Sequence, residues 1–287
     1  MKVVVDWVLS QRYRLVLTAI VLTPFLPMLT AGLMVLNTVH RGTSNGAAMA
    51  LAGVAALCVL AIATGGGWLE MAVVGTFAMA CGVGIGALLN VGGTLTLAFQ
   101  GTVLGSYLLA SAVTVFGPGQ QALVGAIMDR ISQLWQNGEA LDLAPGSETM
   151  LLGIAYAAVF AQLVGALFLG YWWFGFARNE PRFGTEFRAL RLGRVLGFPA
   201  MALVTVGLLV QAPIVQNLTP IALFAFLFQG AAVMHAWAHA KQWHPAVLAP
   251  VYVLLITPWM WLPILGLSAV GLLDTIFEMR ARLRAHD

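Results

Sequence analysis

Apolar positions gather into eight long runs, at roughly 13–38, 47–64, 68–90, 94–116, 150–176, 195–212, 218–240 and 246–277. About 20 apolar residues suffice for a helix to cross a bilayer, so the runs predict membrane helices. Two of them are not simple spans. Pro24 and Pro27 lie near the middle of the first, and Pro250, Pro258 and Pro263 interrupt the last. Proline removes a helix hydrogen bond and kinks the chain, so each of these runs predicts a hairpin that turns back inside the membrane. The first is short for two full crossings and predicts a partial, re-entrant pair. The last, with about 32 residues, has the length of two short spans.

The polar positions between the runs decide between topologies. Basic residues fall in groups: Lys2, Arg12 and Arg14; Arg41; Arg130; Arg178, Arg182, Arg188, Arg191 and Arg194; Lys241; Arg280, Arg282 and Arg284. If every run is one span, the fourteen divide seven and seven between the two sides. If the first and last runs are hairpins, thirteen share one side and only Arg130 lies on the other, as the positive-inside rule requires. The sequence therefore predicts an all-α polytopic transmembrane helix bundle. Six full spans are flanked by two proline-broken hairpins, giving 8–10 transmembrane segments with both termini cytoplasmic, and 1–287 is a single integral membrane domain. The 117–149 loop, with Asp129, Glu139, Asp142 and Glu148, is external; the 177–194 loop is basic and cytoplasmic.

Each of these two loops carries a periodic segment. Over 119–137, Leu123, Ile127, Ile131 and Leu134 recur at helical spacing, while Asp129, Arg130, Gln133 and Gln136 take other faces. This predicts an amphipathic helix on the outer surface. Over 183–196, Phe183, Phe187 and Leu190 line one face beside Arg188, Arg191 and Arg194, predicting an inner interfacial helix that meets anionic headgroups.

Composition removes the soluble alternatives. Hydrophobic residues make up 60% of the chain, charged residues 9%, and mean hydropathy is +0.90, whereas a soluble domain carries about 25% charged residues. The mild excess of 14 basic over 11 acidic side chains sits at the ends of apolar runs, which speaks against nucleic-acid binding. Cys58 and Cys81 lie inside apolar runs and predict no disulfide framework. No clear small-x-small cleavage site follows the first apolar stretch, so no removable signal peptide is expected.

Candidate chemistry is sparse. In HAWAHAKQWH, His235 and His239 are four apart and share a helix face that could hold a metal ion. The glutamate of HExxH is absent and no further ligand is evident, so no metal site is assigned. With Trp237 and Trp243 nearby, the histidines also read as an interfacial cluster. Gln229 lies deeper on the same helix, and Gln100, Gln162 and Asn90 sit in other runs. Each is helix–helix glue or part of the lining of a small-molecule pocket. The ligand-binding candidates are Gln100, Gln162, Gln229, His235 and His239. Glu70, after the Gly65–Gly67 turn, reads as an interfacial acid, and Asp274 as the acid of a structural ion pair with one of the nearby arginines. Gly82 and Gly86, and Gly101 and Gly105, form small-xxx-small pairs that let helices approach closely. No catalytic set, phosphate loop or cofactor motif is present, so no enzyme activity and no cofactor are expected.

Two stretches together resemble a known family. One is the proline-broken first run followed by His40-Arg41-Gly42; the other is Phe228-Gln229-Gly230, the His235 helix, and Gly271-Leu272-Leu273-Asp274 leading to Arg280, Arg282 and Arg284. The chain resembles the YybS-like family of uncharacterised bacterial membrane proteins over nearly its whole length. That family is considered distantly similar to the substrate-binding subunits of energy-coupling-factor vitamin transporters and to the rod-shape protein MreD. The resemblance implies a multi-pass protein of the bacterial inner membrane, with small-xxx-small faces such as Gly82/Gly86 and Gly101/Gly105 available for docking a partner subunit. The expectation is a transporter-like protein that binds a small molecule or lipid within its bundle. Its partners would be the lipid bilayer, a small-molecule ligand and partner membrane subunits, with no nucleic acid. The competing expectation is an MreD-like scaffold or assembly factor in cell-envelope organisation.

Overall fold

The computed structural model describes residues 2–117, 119–134 and 147–280. Among these residues every regular element is helical. The helices are α1 (Lys2–Ser10), α2 (Arg12–Leu22), α3 (Pro27–Arg41), α4 (Thr43–Ala63), α5 (Leu69–Gly92), α6 (Leu95–Phe116) and α7 (Gln120–Leu134). They continue as α8 (Ser147–Arg178), α9 (Phe183–Arg188), α10 (Gly193–Leu209), α11 (Pro213–Ala240), α12 (Ala249–Leu254) and α13 (Trp261–Phe277). Five of them, α4, α5, α6, α8 and α11, are long and apolar enough to cross a membrane. The protein is an α-helical polytopic membrane bundle. The run at 195–212 yields a helix of only 17 residues, α10, because Val210 is extended and Pro213 starts the next helix.

The chain forms two compact units, residues 1–102 with 161–190 and residues 103–160 with 191–287. In the first unit the proline-broken first run is a hairpin. α2 ends at Leu22, Thr23–Phe25 turn, and Pro27 opens α3, where its missing N–H costs nothing. The arms are antiparallel: Thr30 Oγ1 donates to the Ala19 carbonyl of α2 at 3.1 Å, and further along α3 Arg41 reaches past the start of α2 and donates to the Leu9 carbonyl of α1. With 11 and 15 residues, α2 and α3 are about 16 and 22 Å long, short of the roughly 30 Å hydrocarbon layer.

α3 is the axis of this unit, with every residue from Thr30 to Thr38 buried. Glycines make that possible. A Cβ on Gly82 would lie 2.4 Å from the Ala31 carbonyl, one on Gly86 would lie 2.6 Å from the Thr38 Cβ, and one on Gly170 would lie 2.5 Å from the Val35 Cβ. The pairs 31–82 and 38–86, and likewise 28–165 and 35–170, rise together in number. α5 and α8 therefore both run parallel to α3, which puts the C-terminal ends of all three at one end of the unit. The Gly82/Gly86 face is thus filled by α3 and is not free to dock another subunit. Gly101 meets only the Leu88 side chain, and Gly105 borders open space.

The 183–196 segment is more compact than its periodicity implies. Helix α9 stops at Arg188, and the aromatic pair Phe183 and Phe187 packs edge-on against Phe168 of α8. Glu186 of α9 accepts the Leu95 N–H at 3.2 Å. A carboxylate thus caps the positive N-terminus of α6.

In the second unit the last run is also broken. After α12, turns at Leu255–Met260 precede α13. Ser268 donates to the Leu223 carbonyl at 2.8 Å, Gly271 packs on Phe226, and Gln229 reaches Asp274 and Thr275. These numbers rise together, so α11 and α13 run in the same direction. The chain must return between them through Lys241–Met260, which makes α12 and α13 the two arms of a reversal. Trp259 and Trp261, both largely exposed and 6.5 Å apart between ring centroids, stand at its tip, the position of interfacial anchors. The helix expected over 119–137 appears as α7; residues 135–146 lie outside those described.

Candidate functional site

Two polar clusters stand out in the second unit, and they behave oppositely. The first is built where α11 crosses α13. Gly230 and Gly271 let the backbones touch: a Cβ on Gly230 would sit 1.9 Å from the Leu267 carbonyl, and one on Gly271 would sit 2.1 Å from the Phe226 carbonyl. The contact carries the neighbouring Gln229 onto the α13 backbone, where it is 1% exposed. Its Oε1 accepts the Leu192 N–H at 2.9 Å. Its Nε2 lies 3.0 Å from the Gly271 carbonyl, 3.0 Å from Asp274 Oδ2 and 3.1 Å from Thr275 Oγ1. Asp274, also buried, pairs with Arg280 at 2.7 Å. That pairing depends on the chain turning back after α13. Glu278 makes the turn with a left-handed φ of 45°, and its own carboxylate meets Arg194 at 2.9 Å. Every polar group of Gln229 is engaged, so the cluster ties α11, α13 and the start of α10 together.

The other sequence candidates do not join it. His235, six residues further along α11, is half-buried, and its Nε2 lies 2.5 Å from the Tyr252 hydroxyl of α12. His239 is exposed at the end of α11. Gln100 and Gln162 belong to the first unit, Gln100 half-buried on α6 and Gln162 exposed on α8. Among the described residues, no three His, Cys, Asp or Glu side chains gather closely enough to hold a metal ion.

No sequence motif marks the second cluster. It lies on α6, α8 and α11. Asn217 is 0% exposed, and its Nδ2 donates to Thr114 of α6 at 3.1 Å. Its Oδ1 is buried without a partner among the described residues, as are Ser106 Oγ, Tyr107 Oη and Tyr156 Oη. The helix register groups them. Thr114 stands opposite Asn217, and Tyr107 is two turns back on nearly the same face of α6. Gly153 of α8 packs against Gln216 and Asn217, and Tyr156 follows one turn later. The edge-on pair Phe160–Phe228, with centroids 6.1 Å apart, closes the far side of the α8–α11 contact with apolar surface. The signal was present in the sequence as two tyrosines inside apolar runs and an asparagine at the edge of one.

The first unit has a smaller polar set at the basic end of α3. Asn90 Nδ2 donates to the Thr38 carbonyl at 2.9 Å, and Thr38 is wedged between Gly46 and Gly86. His40, beyond the apolar run, is held below the ordinary imidazole range. Burial is the main cause, followed by the guanidiniums of Arg178 and Arg41, while Asp6 acts the other way.

Compared with protein-family models, with curated proteins and with solved structures, the chain matches none. The membrane-bundle class therefore rests on the helices themselves.

Proposed function

We propose that this integral membrane protein is transporter-like and non-enzymatic, and that it binds a polar small molecule or the polar part of a lipid between α6, α8 and α11. The supporting observation is the set of four buried, unpaired polar atoms on Asn217, Ser106, Tyr107 and Tyr156. Each unpaired group in a water-poor interior costs about 1–3 kcal/mol. A ligand carrying both donors and acceptors would remove that cost, because hydroxyls serve in either role and the Asn217 carbonyl accepts. The resemblance to the YybS-like family, with its distant kinship to vitamin-binding subunits, supports the same reading, under which the membrane would be a bacterial inner membrane. Energy-driven transport would then need partner subunits. The MreD-like scaffold is the alternative reading.

Tyrosine-to-phenylalanine exchanges separate the two. Tyr107→Phe and Tyr156→Phe remove only the unpaired hydroxyls. Under the binding reading the ligand-free protein is unchanged or stabilised by up to about 1–3 kcal/mol, and native mass spectrometry of the gently solubilised protein shows a bound small molecule depleted in both variants. A wild-type protein that emerges without any bound small molecule, or one retained undiminished by both variants, rejects the binding reading and leaves the scaffold.

A further inference from the structure

We infer that α8 is a self-association helix: the protein pairs with a second copy of itself in the bilayer through the Gln162 amide. α8 is 32 residues long, about 48 Å, and Gln162 is its sixteenth residue. A helix of that length overhangs the roughly 30 Å hydrocarbon layer at both ends, so its midpoint lies within hydrocarbon for any reasonable vertical placement. Gln162 is nevertheless exposed, and its amide has no hydrogen-bond partner among the described residues. The contrast with Gln229, which is buried and fully engaged, shows how this chain otherwise treats a glutamine at membrane depth. Acyl chains offer an amide no donor or acceptor, and polar side chains at this depth turn toward protein.

Symmetry selects the occupant. Copies inserted the same way and related by a two-fold axis along the membrane normal bring each residue to its own depth on the partner. Gln162 then meets Gln162, and an amide is complementary to itself, since each donates an N–H and accepts at its oxygen. One turn away on the same side, Ala158 is also exposed, and its small side chain leaves room for a second helix to approach.

The test uses the whole chain in native membranes. In a chain lacking Cys58 and Cys81, Ala158→Cys is oxidised in situ, with Leu51→Cys on the exposed face of α4 as control. Ala158→Cys is expected to form a covalent dimer and Leu51→Cys none. In vesicles, energy transfer between labelled copies is expected to show Gln162→Leu weakening association about three- to tenfold, with Gln162→Asn retaining most of it. Because Gln162 has no partner among the described residues, the thermal unfolding of Gln162→Leu should match the wild type, which separates lost pairing from misfolding. A monomeric wild type, undiminished association of Gln162→Leu, or cross-linking of position 158 to a different protein overturns the proposal.

Discussion

At the scale of single residues, what separates a structural polar group from a binding one in this bundle is whether its atoms are already used. Gln229, Asp274 and Arg280 form a closed chain of charge-assisted hydrogen bonds. Such a chain is expected to fail unevenly. Gln229→Leu keeps the size of the side chain but removes its bonds to the Leu192 N–H, the Gly271 carbonyl, Asp274 and Thr275, and should cost about 1–2 kcal/mol. Arg280→Ala leaves a buried carboxylate with its cation gone, and should cost about 3–5 kcal/mol. Thermal unfolding in a mild detergent measures both, and a Gln229→Leu loss equal to or larger than that of Arg280→Ala would contradict the assignment. The pairing of Asp274 with an arginine was suggested by sequence because acid and base lie six residues apart beyond an apolar run. The engagement of Gln229 was not, because nothing in the spacing says which backbone a long amide will meet. Tyr107 and Tyr156 escaped notice for the opposite reason: tyrosine counts as apolar in a hydropathy pattern, and its hydroxyl matters only once its neighbours are known.

At the scale of elements, glycine decides which helices touch. The small-xxx-small pairs Gly82/Gly86 and Gly101/Gly105 were visible as spacing, yet only the first lies against a helix backbone. Gly230 and Gly271, which make the closest helix contact of the second unit, sit on different helices and so leave no pattern in either. Gly230→Ala would drive its methyl into the Leu267 carbonyl, an atom of the backbone that cannot rotate away. The helices must separate, and the Gln229 bonds to Gly271, Asp274 and Thr275 lengthen with them. A loss of about 1–3 kcal/mol is expected, against little change for Gly84→Ala, Gly105→Ala or Gly266→Ala, where a Cβ meets nothing within 4 Å. Parallel thermal unfolding of the four variants checks this, and equal losses across them would refute it. The proline-broken runs were legible because Pro24, Pro27 and Pro258 act locally on the backbone. The shortness of α9 was not, because the Phe183–Phe187 face found Phe168 to pack against instead of continuing along a lipid surface.

At the scale of the whole molecule, the two reversals carry the topology, and each is visible within its own unit. In the first, the end of α3 shares its level with the ends of α5 and α8, so Arg41 and Arg178 lie at the same end. In the second, the ends of α11 and α13 share a level, so Lys241 and Arg280 do likewise. Had the first and last runs been single spans, α3 would have continued in the direction of α2, and α13 would have opposed α11. Within each unit, taken by itself, the helix directions gather these basic residues at one end, while the thirteen-to-one division over the whole chain is an expectation from charge counting. By the positive-inside rule the basic ends are expected to face the cytoplasm. Single cysteines at Ser44, Gly138, Thr185 and Ala285, in a chain lacking Cys58 and Cys81, turn that assignment into a measurement. An impermeant thiol reagent applied to intact cells should label position 138 alone, and the other three only after the cells are opened. Labelling of 185 from outside with 138 protected would invert the whole protein while leaving every helix contact intact. Labelling of both 44 and 138 from outside would contradict the three crossings, α4, α5 and α6, that separate the two positions.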